Sequence, residues 1–299
     1  MDIKKILQHW PDLKNIQKLA SGGQKIVYKA YSKEKGAVVV KLISGSSERG
    51  LREIQIVKEH NIPQAPKILD YADFSNTEET CLVLLEEFVD GHSLQDTLDR
   101  NQTFSIEQVI SLLDFLLGTI AQLEAIKIIH RDIKPANILL SNNNEYKLID
   151  FGIARDLKAA SLTATSDSSP CTPGYAAPEL FSQNAKSKIT SKVDLFSAGV
   201  VSYVMLTGKN PYIRQGATIF DIAMTTTTIP TPMLTFSKNY DEELFKFIRL
   251  LMSKQAFKRP PSAAVAYSWF KTISTNRKNA VSAEKEEQMQ EKIMGDFLE

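Results

Sequence analysis

Cysteine is almost absent from this 299-residue sequence, which contains only Cys81 and Cys171. Two cysteines provide neither a disulfide framework nor the spacing of a zinc site. An excess of charge of one sign is also lacking, because 36 lysines and arginines nearly balance 35 acidic residues and leave a formal net charge of +1. This balance gives no electrostatic reason to expect a nucleic acid or an anionic membrane as a partner.

Long apolar runs are missing as well. No uninterrupted apolar run approaches the roughly 20 residues that a membrane span requires. Polar residues interrupt the N-terminus where a signal peptide would have its apolar region, namely Lys4, Lys5, His9 and Asp12. We therefore expect a soluble, cytoplasmic protein. Its hydrophobic content of 43% is nevertheless sufficient for one large domain or for two lobes with separate cores.

What the sequence does contain is a dense set of polar groups between Ile128 and Gly152. Asn137 follows Asp132 by five residues, and Asp150 comes thirteen residues later, directly before Phe-Gly. Turn formers at 141–144 separate two apolar runs and predict a short hairpin that brings the three side chains together. Phosphoryl transfer needs such groups: one carboxylate for the proton of the attacking hydroxyl, and an amide and a second carboxylate for Mg²⁺.

These residues resemble the catalytic loop and metal-binding motif of the eukaryotic-type protein kinases, written here as His130-Arg131-Asp132, Asn137 and Asp150-Phe151-Gly152. The resemblance covers about residues 15–272 and is strongest to bacterial, soluble members. It implies an α+β, bilobal fold, with a small β-rich N-lobe at 1–87 and a larger, mostly helical C-lobe at 88–275. An amphipathic tail at 276–299 would follow.

The resemblance also implies a chemistry for the cleft between the lobes, with ATP and Mg²⁺ (or Mn²⁺) as cofactors. Asp132 would be the catalytic base, and Lys134 would neutralise the moving phosphoryl group. Asn137 and Asp150 would bind the metal. Lys134, two residues after Asp132, indicates a Ser/Thr rather than a Tyr pattern, so the implied substrate is a protein with a Ser or Thr acceptor.

The N-lobe shows a degenerate glycine-rich loop. Aligned on Val27, the three glycine positions of the family are occupied by Ala20, Gly22 and Lys25, and Gly23 lies beside the one that is kept. Backbone N–H groups of such a turn can cover phosphates. We therefore expect Ala20, Gly22, Gly23 and Val27 to border the nucleotide, with less tight covering where the third glycine is lost.

A lysine in a β-rich run, Lys41 within 37–43, needs a partner because burial of an unpaired charge is costly. The resemblance supplies the α- and β-phosphates of ATP and Glu53, which lies on a following amphipathic helix. The backbone of Glu87 and Val89 would bind the adenine. This alignment puts Glu86 at the gatekeeper position, where apolar residues are commoner, and predicts no partner for it.

The polar stretch after Gly152 resembles a kinase activation segment. Arg131 matches the residue that pairs with a phosphate added there, and candidate phosphorylation sites are Ser161, Thr163, Thr165, Ser166, Ser168 and Ser169. A flexible linker without regulation is the alternative. Thr172 would contact Asp132 and Lys134, and Glu179 would pair with Arg259.

Two other functions remain open. A pseudokinase would bind nucleotide or a partner without transferring phosphate. The degenerate glycine-rich loop is the reason to consider it. A small-molecule kinase of related fold should lack the polar segment leading to Ala177-Pro178-Glu179, which is present here.

In the tail, Met289, Ile293 and Phe297 recur every four residues and predict an amphipathic helix that docks on its own C-lobe, dimerises or binds a partner.

Overall fold

The N-terminal lobe is built on one antiparallel sheet. The computed structural model of the chain describes residues 3–22, 25–44, 48–75, 81–150, 172–181, 189–235 and 238–296. The strands are β1 (Leu13–Gly22), β2 (Lys25–Ser32), β3 (Gly36–Ser44), β4 (Ile68–Asp73) and β5 (Cys81–Glu87), in the order β1-β2-β3-β5-β4. Two helices accompany the sheet, α1 (Ile3–His9) and α2 (Glu48–His60).

Strand β5 is buried on both faces, as its uninterrupted apolar sequence predicts. Val83 and Leu85 belong to a core cluster that includes Ile6 and Trp10 at the N-terminus. Leu82 and Leu84 point to the opposite face and belong to a second cluster with residues of α2. The sheet is therefore covered by α1 on one face and by α2 on the other.

The C-terminal lobe is mostly helical, which confirms the predicted α+β, two-lobe architecture. Its helices are α3 (Leu94–Asp99), α4 (Ile106–Ala125), α5 (Lys192–Thr207), α6 (Ile219–Thr228), α7 (Glu242–Leu251) and α8 (Ala263–Asp296). Capping boxes begin three of them, because Ser93, Ser105 and Thr218 each exchange hydrogen bonds with the residue three positions later. These sequence signals fix where α3, α4 and α6 start.

Helix α4 is the centre of this lobe. By length and composition alone it could cross a membrane, although polar residues interrupt its apolar sequence. In the structure its apolar face lies in the core cluster of the lobe, where Leu112, Leu113, Leu116 and Leu117 are fully buried. It packs against α5 and α8.

A three-stranded sheet supports the polar loop between the lobes. Its strands are β6 (Gly91–Ser93), β7 (Ile138–Ser141) and β8 (Tyr146–Leu148), in the order β6-β7-β8. The predicted hairpin is thus confirmed as β7–β8, with Ile138 opposite Leu148. β6 approaches β7 so closely that a Cβ added at Gly91 would lie 2.3 Å from the carbonyl oxygen of Leu140. Only glycine fits there without a shift of the backbone.

The predicted boundary between 275 and 276 lies inside a single helix. α8 continues without a break from Ala263 to Asp296. Past the boundary, Arg277 binds Asp241 and Glu107, and Glu284 binds Lys238. The segment predicted as a separate tail therefore begins as the second half of a helix of the C-lobe, although the drop in apolar content indicated a new element.

The buried ion pair between Arg277 and Asp241 predicts a large effect of substitution on the stability of the protein. The Arg277 Nε atom lies 2.6 Å from Asp241 Oδ1, and the side chains are 9% and 3% exposed. We expect Arg277→Met to lower the free energy of unfolding by about 3 kcal/mol in urea titrations, because the Asp241 carboxylate loses a buried cationic partner. Lys271→Met is the matched control. Lys271 lies on the same helix as Arg277, and its ion pair with Asp114 of α4 is about half exposed, so the pair should contribute less than about 1 kcal/mol. Equal losses would contradict the prediction.

Candidate active site

The polar loop brings Asp132 and Asn137 into direct contact. The Asn137 amide nitrogen donates to the backbone oxygen of Asp132 at 2.8 Å and to its carboxylate Oδ2 at 2.9 Å. Asn137 ends a short 3-10 turn immediately before β7, so the hairpin fixes its position. Because the amide nitrogen is used in this way, the amide oxygen is the atom that would bind a cation.

A hydroxyl group is held between the acid and the lysine of this loop. Thr172 Oγ1 donates to Asp132 Oδ1 at 2.7 Å, and Lys134 Nζ donates to the same hydroxyl at 2.8 Å. Lys134 also lies 3.2 Å from Asp132 Oδ2. The contacts expected for Thr172 are therefore present. They show that a carboxylate and an ammonium group can bind one aliphatic hydroxyl at the same time.

A buried carboxylate from α5 holds the backbone that precedes Asp132. Asp194 accepts hydrogen bonds from the N–H groups of His130 and Arg131, both at 2.8 Å. Burial raises the pKa of Asp194 to about 6, while the two N–H donors and the Arg131 charge act in the opposite direction. Arg131 has φ of +66°, a left-handed conformation that is rare outside glycine. The loop conformation is strained, and Asp194 stabilises it.

Four charged side chains form a network across the cleft. Lys41 pairs with Glu86 and, at 2.9 Å, with Asp150; the other oxygen of Asp150 pairs with Lys25. Burial alone would lower the pKa of Lys41, but the carboxylates of Asp150 and Glu86 raise it above its ordinary value. Burial likewise acts to raise the pKa of Asp150, and the two lysines hold it well below its ordinary range. Lys41 and Asp150 are therefore charged near neutral pH, and the network joins two basic with two acidic side chains.

Some candidate residues lie outside this description. The side chain of Glu53, Gly23, and all candidate phosphorylation sites from Ser161 to Ser169 are among the residues that the structure does not describe. The pairing of Lys41 with Glu53 and the role of the activation segment therefore stay predictions. The partner of Arg131 in that segment is likewise untested, although the arginine itself is buried beside Asp132.

The remaining nucleotide candidates lie on strands of the N-lobe sheet or directly after β5. Ala20 lies opposite Val27 and Gly22 opposite Lys25 where β1 and β2 meet. Glu87 ends β5, and its N–H donates to the carbonyl oxygen of Lys67 at 2.9 Å. An adenine at Glu87 would therefore use its carbonyl oxygen. Val89 follows in the segment that connects the lobes.

Sequence reasoning missed the partners of two residues in the network. Glu86 was recognised as an unusual gatekeeper, but its pairing with Lys41 was not predicted. In the structure Val39 lies opposite Glu86 and Lys41 opposite Leu84 on neighbouring strands, and this register puts both charges on one face. Lys25 was seen only as a lost glycine, and nothing in the sequence places it beside Asp150.

The residues present fit a magnesium–nucleotide group. Asn137 and Asp150 supply an amide oxygen and an ionised carboxylate, which are hard oxygen ligands, and Mg²⁺ commonly takes one or two protein ligands together with phosphate oxygens. Within the described part of the chain no group of three or more His, Cys, Asp or Glu could hold a metal ion by itself. A metal at this site would depend on the phosphates of the nucleotide.

The Lys41–Glu86 pair leads to a prediction about stability. The two side chains are only 7% and 9% exposed. We expect Glu86→Gln to lower the free energy of unfolding by about 2 kcal/mol, less than for an isolated buried pair because Lys41 keeps Asp150. Glu87→Gln, at the adjacent exposed position, should change it by less than about 0.5 kcal/mol. Denaturant titrations of both variants check this, and an unchanged Glu86→Gln protein would contradict it.

Comparisons with known proteins agree with this geometry. The model of the protein kinase domain family matches residues 13–270. Similar relatives are the probable serine/threonine-protein kinase pknA2 of Bifidobacterium longum (27% identity; 84% of this chain, 33% of the relative) and the serine/threonine-protein kinase cds1 of Schizosaccharomyces pombe (30%; 84% and 55%). Another is the death-associated protein kinase 2 of Mus musculus (29%; 87% and 72%).

The extent of these matches decides what they establish. The chain spans about a third to about half of the length of pknA2 and cds1, whereas the family model covers most of the chain itself. The shared part is the region that contains both lobes and the polar loop. The chain therefore belongs to the protein kinase domain family.

Proposed function

We propose that the protein is an ATP-dependent serine/threonine protein kinase that transfers the γ-phosphate to protein hydroxyls. The observation that carries this proposal is the Thr172 hydroxyl, which Asp132 and Lys134 bind together. These contacts support the proposal that the hydroxyl of a substrate would be held by the same two residues. Serine and threonine hydroxyls have the same reach from the backbone, whereas a tyrosine hydroxyl lies at the end of a ring.

Each residue of the loop has a separate role in the proposed reaction. Asp132 orients the acceptor hydroxyl and takes its proton as the oxygen attacks, while Lys134 stabilises the negative charge that develops on the transferring group. Asn137 holds the Asp132 carboxylate in place and, with Asp150, would bind Mg²⁺, which neutralises the phosphates. Lys41 would hold the α- and β-phosphates.

The pseudokinase alternative rests on the degenerate glycine-rich loop. Against it, each charged position expected to act in catalysis is filled, by Lys41, Asp132, Lys134 and Asp150. Asp132 and Lys134 also have the mutual geometry of an acid–base pair around a hydroxyl. These features support transfer of phosphate over simple nucleotide binding. The protein substrate, a cytoplasmic location and partner docking by residues 276–299 are parts of this proposal that stay predictions.

The central test is transfer of the γ-phosphate from ATP with Mg²⁺ to the protein itself and to a generic protein acceptor, with the modified residues located by mass spectrometry. We expect Asp132→Asn to lower the rate by about 10²–10⁴-fold because the proton acceptor is lost. Lys41→Met should lower it by about 10²–10³-fold through lost charge stabilisation. Asp99→Asn, on the exposed end of α3, is the control.

The outcomes separate the candidate functions. Phosphate on Ser or Thr that both variants abolish supports the kinase. Binding of ATP without transfer to any acceptor would support the pseudokinase instead. Faster transfer to small hydroxylated compounds than to proteins would support a small-molecule kinase.

Autophosphorylation of the segment at 161–169 is a separate part of the proposal. A phosphate there would pair with Arg131 next to the catalytic Asp132. We expect wild-type protein preincubated with ATP to become several-fold more active as phosphate accumulates, which native mass spectrometry can follow. A variant with alanine at Ser161, Thr163, Thr165, Ser166, Ser168 and Ser169 should show no such increase.

Thr227→Ala and Thr228→Ala, on the exposed end of α6, control for loss of hydroxyl groups elsewhere. They should leave the rise in activity unchanged. Full activation of the alanine variant would show that this segment is not regulated by phosphorylation.

A further inference from the structure

Lys25 occupies an unusual place in the cleft. It is the first residue of β2 and lies opposite Gly22 of β1 and Ile43 of β3. From there its side chain pairs with Asp150, which lies in the C-terminal lobe two residues after the end of β8. The N-lobe thus contributes a second ammonium group, besides Lys41, to the carboxylate that would hold the metal.

The two lysines at Asp150 differ in how firmly they are held. Lys41 is buried and has two carboxylate partners, Glu86 and Asp150. Lys25 is 31% exposed, and Asp150 is its ion-pair partner among the described residues. A lysine ammonium is a hydrated point charge on a flexible four-carbon stem. Lys25 is therefore the member of the network that can change partner at low cost.

Binding of a magnesium nucleotide would force such a change. Lys25 and Lys41 now balance the charges of Glu86 and Asp150. A divalent cation at Asp150 would bring two further positive charges next to Lys25, and the phosphates that bind with it would bring negative charge to the same place. The nearest new partner for the Lys25 ammonium is then a phosphate oxygen.

We propose that Lys25 is a phosphate-binding residue of the nucleotide site: its ammonium group is held by Asp150 in the free protein and transfers to the nucleotide phosphates when the metal–nucleotide complex binds. This inference rests on the proposed function. It gives the substitution at the third glycine position a role, since a charged side chain takes over contacts that backbone N–H groups make in a glycine-rich turn. Lys25 joins Lys41 as a second cationic contact to the phosphates.

The test is a set of calorimetric titrations of the full chain with ATP, ADP and adenosine in the presence of Mg²⁺. We expect Lys25→Met to weaken binding of ATP and ADP by about tenfold, as for loss of one charge-assisted hydrogen bond, and to leave adenosine binding unchanged. Lys25→Arg should stay within about threefold of wild type because the charge is kept. Lys18→Met, an exposed lysine on the neighbouring strand β1, is the matched control and should bind all three ligands as wild type does.

Three outcomes would overturn the inference. Lys25→Met protein that binds ATP as tightly as wild type, or more tightly, would show that Lys25 only competes with the metal for Asp150. Equal weakening for adenosine, in both Lys25→Met and Lys25→Gln, would show that the effect does not act through the phosphates. If Lys18→Met weakened nucleotide binding as much as Lys25→Met, the effect would come from general surface charge and not from a contact of Lys25. Failure of the wild-type protein to bind ATP would instead contradict the proposed function itself.

Discussion

The geometry of the site depends on one buried carboxylate, Asp194, near the start of α5. It accepts the N–H groups of two successive residues, His130 and Arg131. The second of them, Arg131, adopts a left-handed backbone conformation, which costs free energy for a residue other than glycine. The core helix α5 thus stabilises a strained turn, and that turn sets the direction in which Asp132 leaves the loop.

The contacts around Asp132 follow from this anchor. The Asn137 amide and the Thr172 hydroxyl donate hydrogen bonds to the Asp132 carboxylate, and the Lys134 ammonium group forms an ion pair with it. Each of these residues is supported by a different part of the lobe, because Asn137 precedes β7 whereas Thr172 lies in a later segment. Preorganisation of this kind matters for catalysis because no free energy is then spent on arranging the charged groups during the reaction.

Local patterns made much of this arrangement predictable. The hairpin β7–β8, the helices α2 and α4, and the contacts of Thr172 follow from apolar periodicity, turn residues and a family motif. The pairings that were missed join residues far apart in sequence, such as Arg277 with Asp241 and Lys25 with Asp150. No local preference encodes them. The change of composition at 276 suggested the start of a separate element, but α8 continues through this position. A helix that extends beyond the core becomes polar without ending.

The Lys41–Glu86 pair has a consequence for how such a cleft can be controlled. Both residues lie on adjacent strands of one sheet, so their separation is set by the strand ladder and does not depend on the position of α2. A movement of α2 would change the surroundings of Lys41 without removing this carboxylate. The contacts to Asp150, in contrast, join β2 and β3 to the C-terminal lobe. A change in the relative position of the lobes would therefore alter the charge balance at Asp150, where the phosphates and the metal would bind.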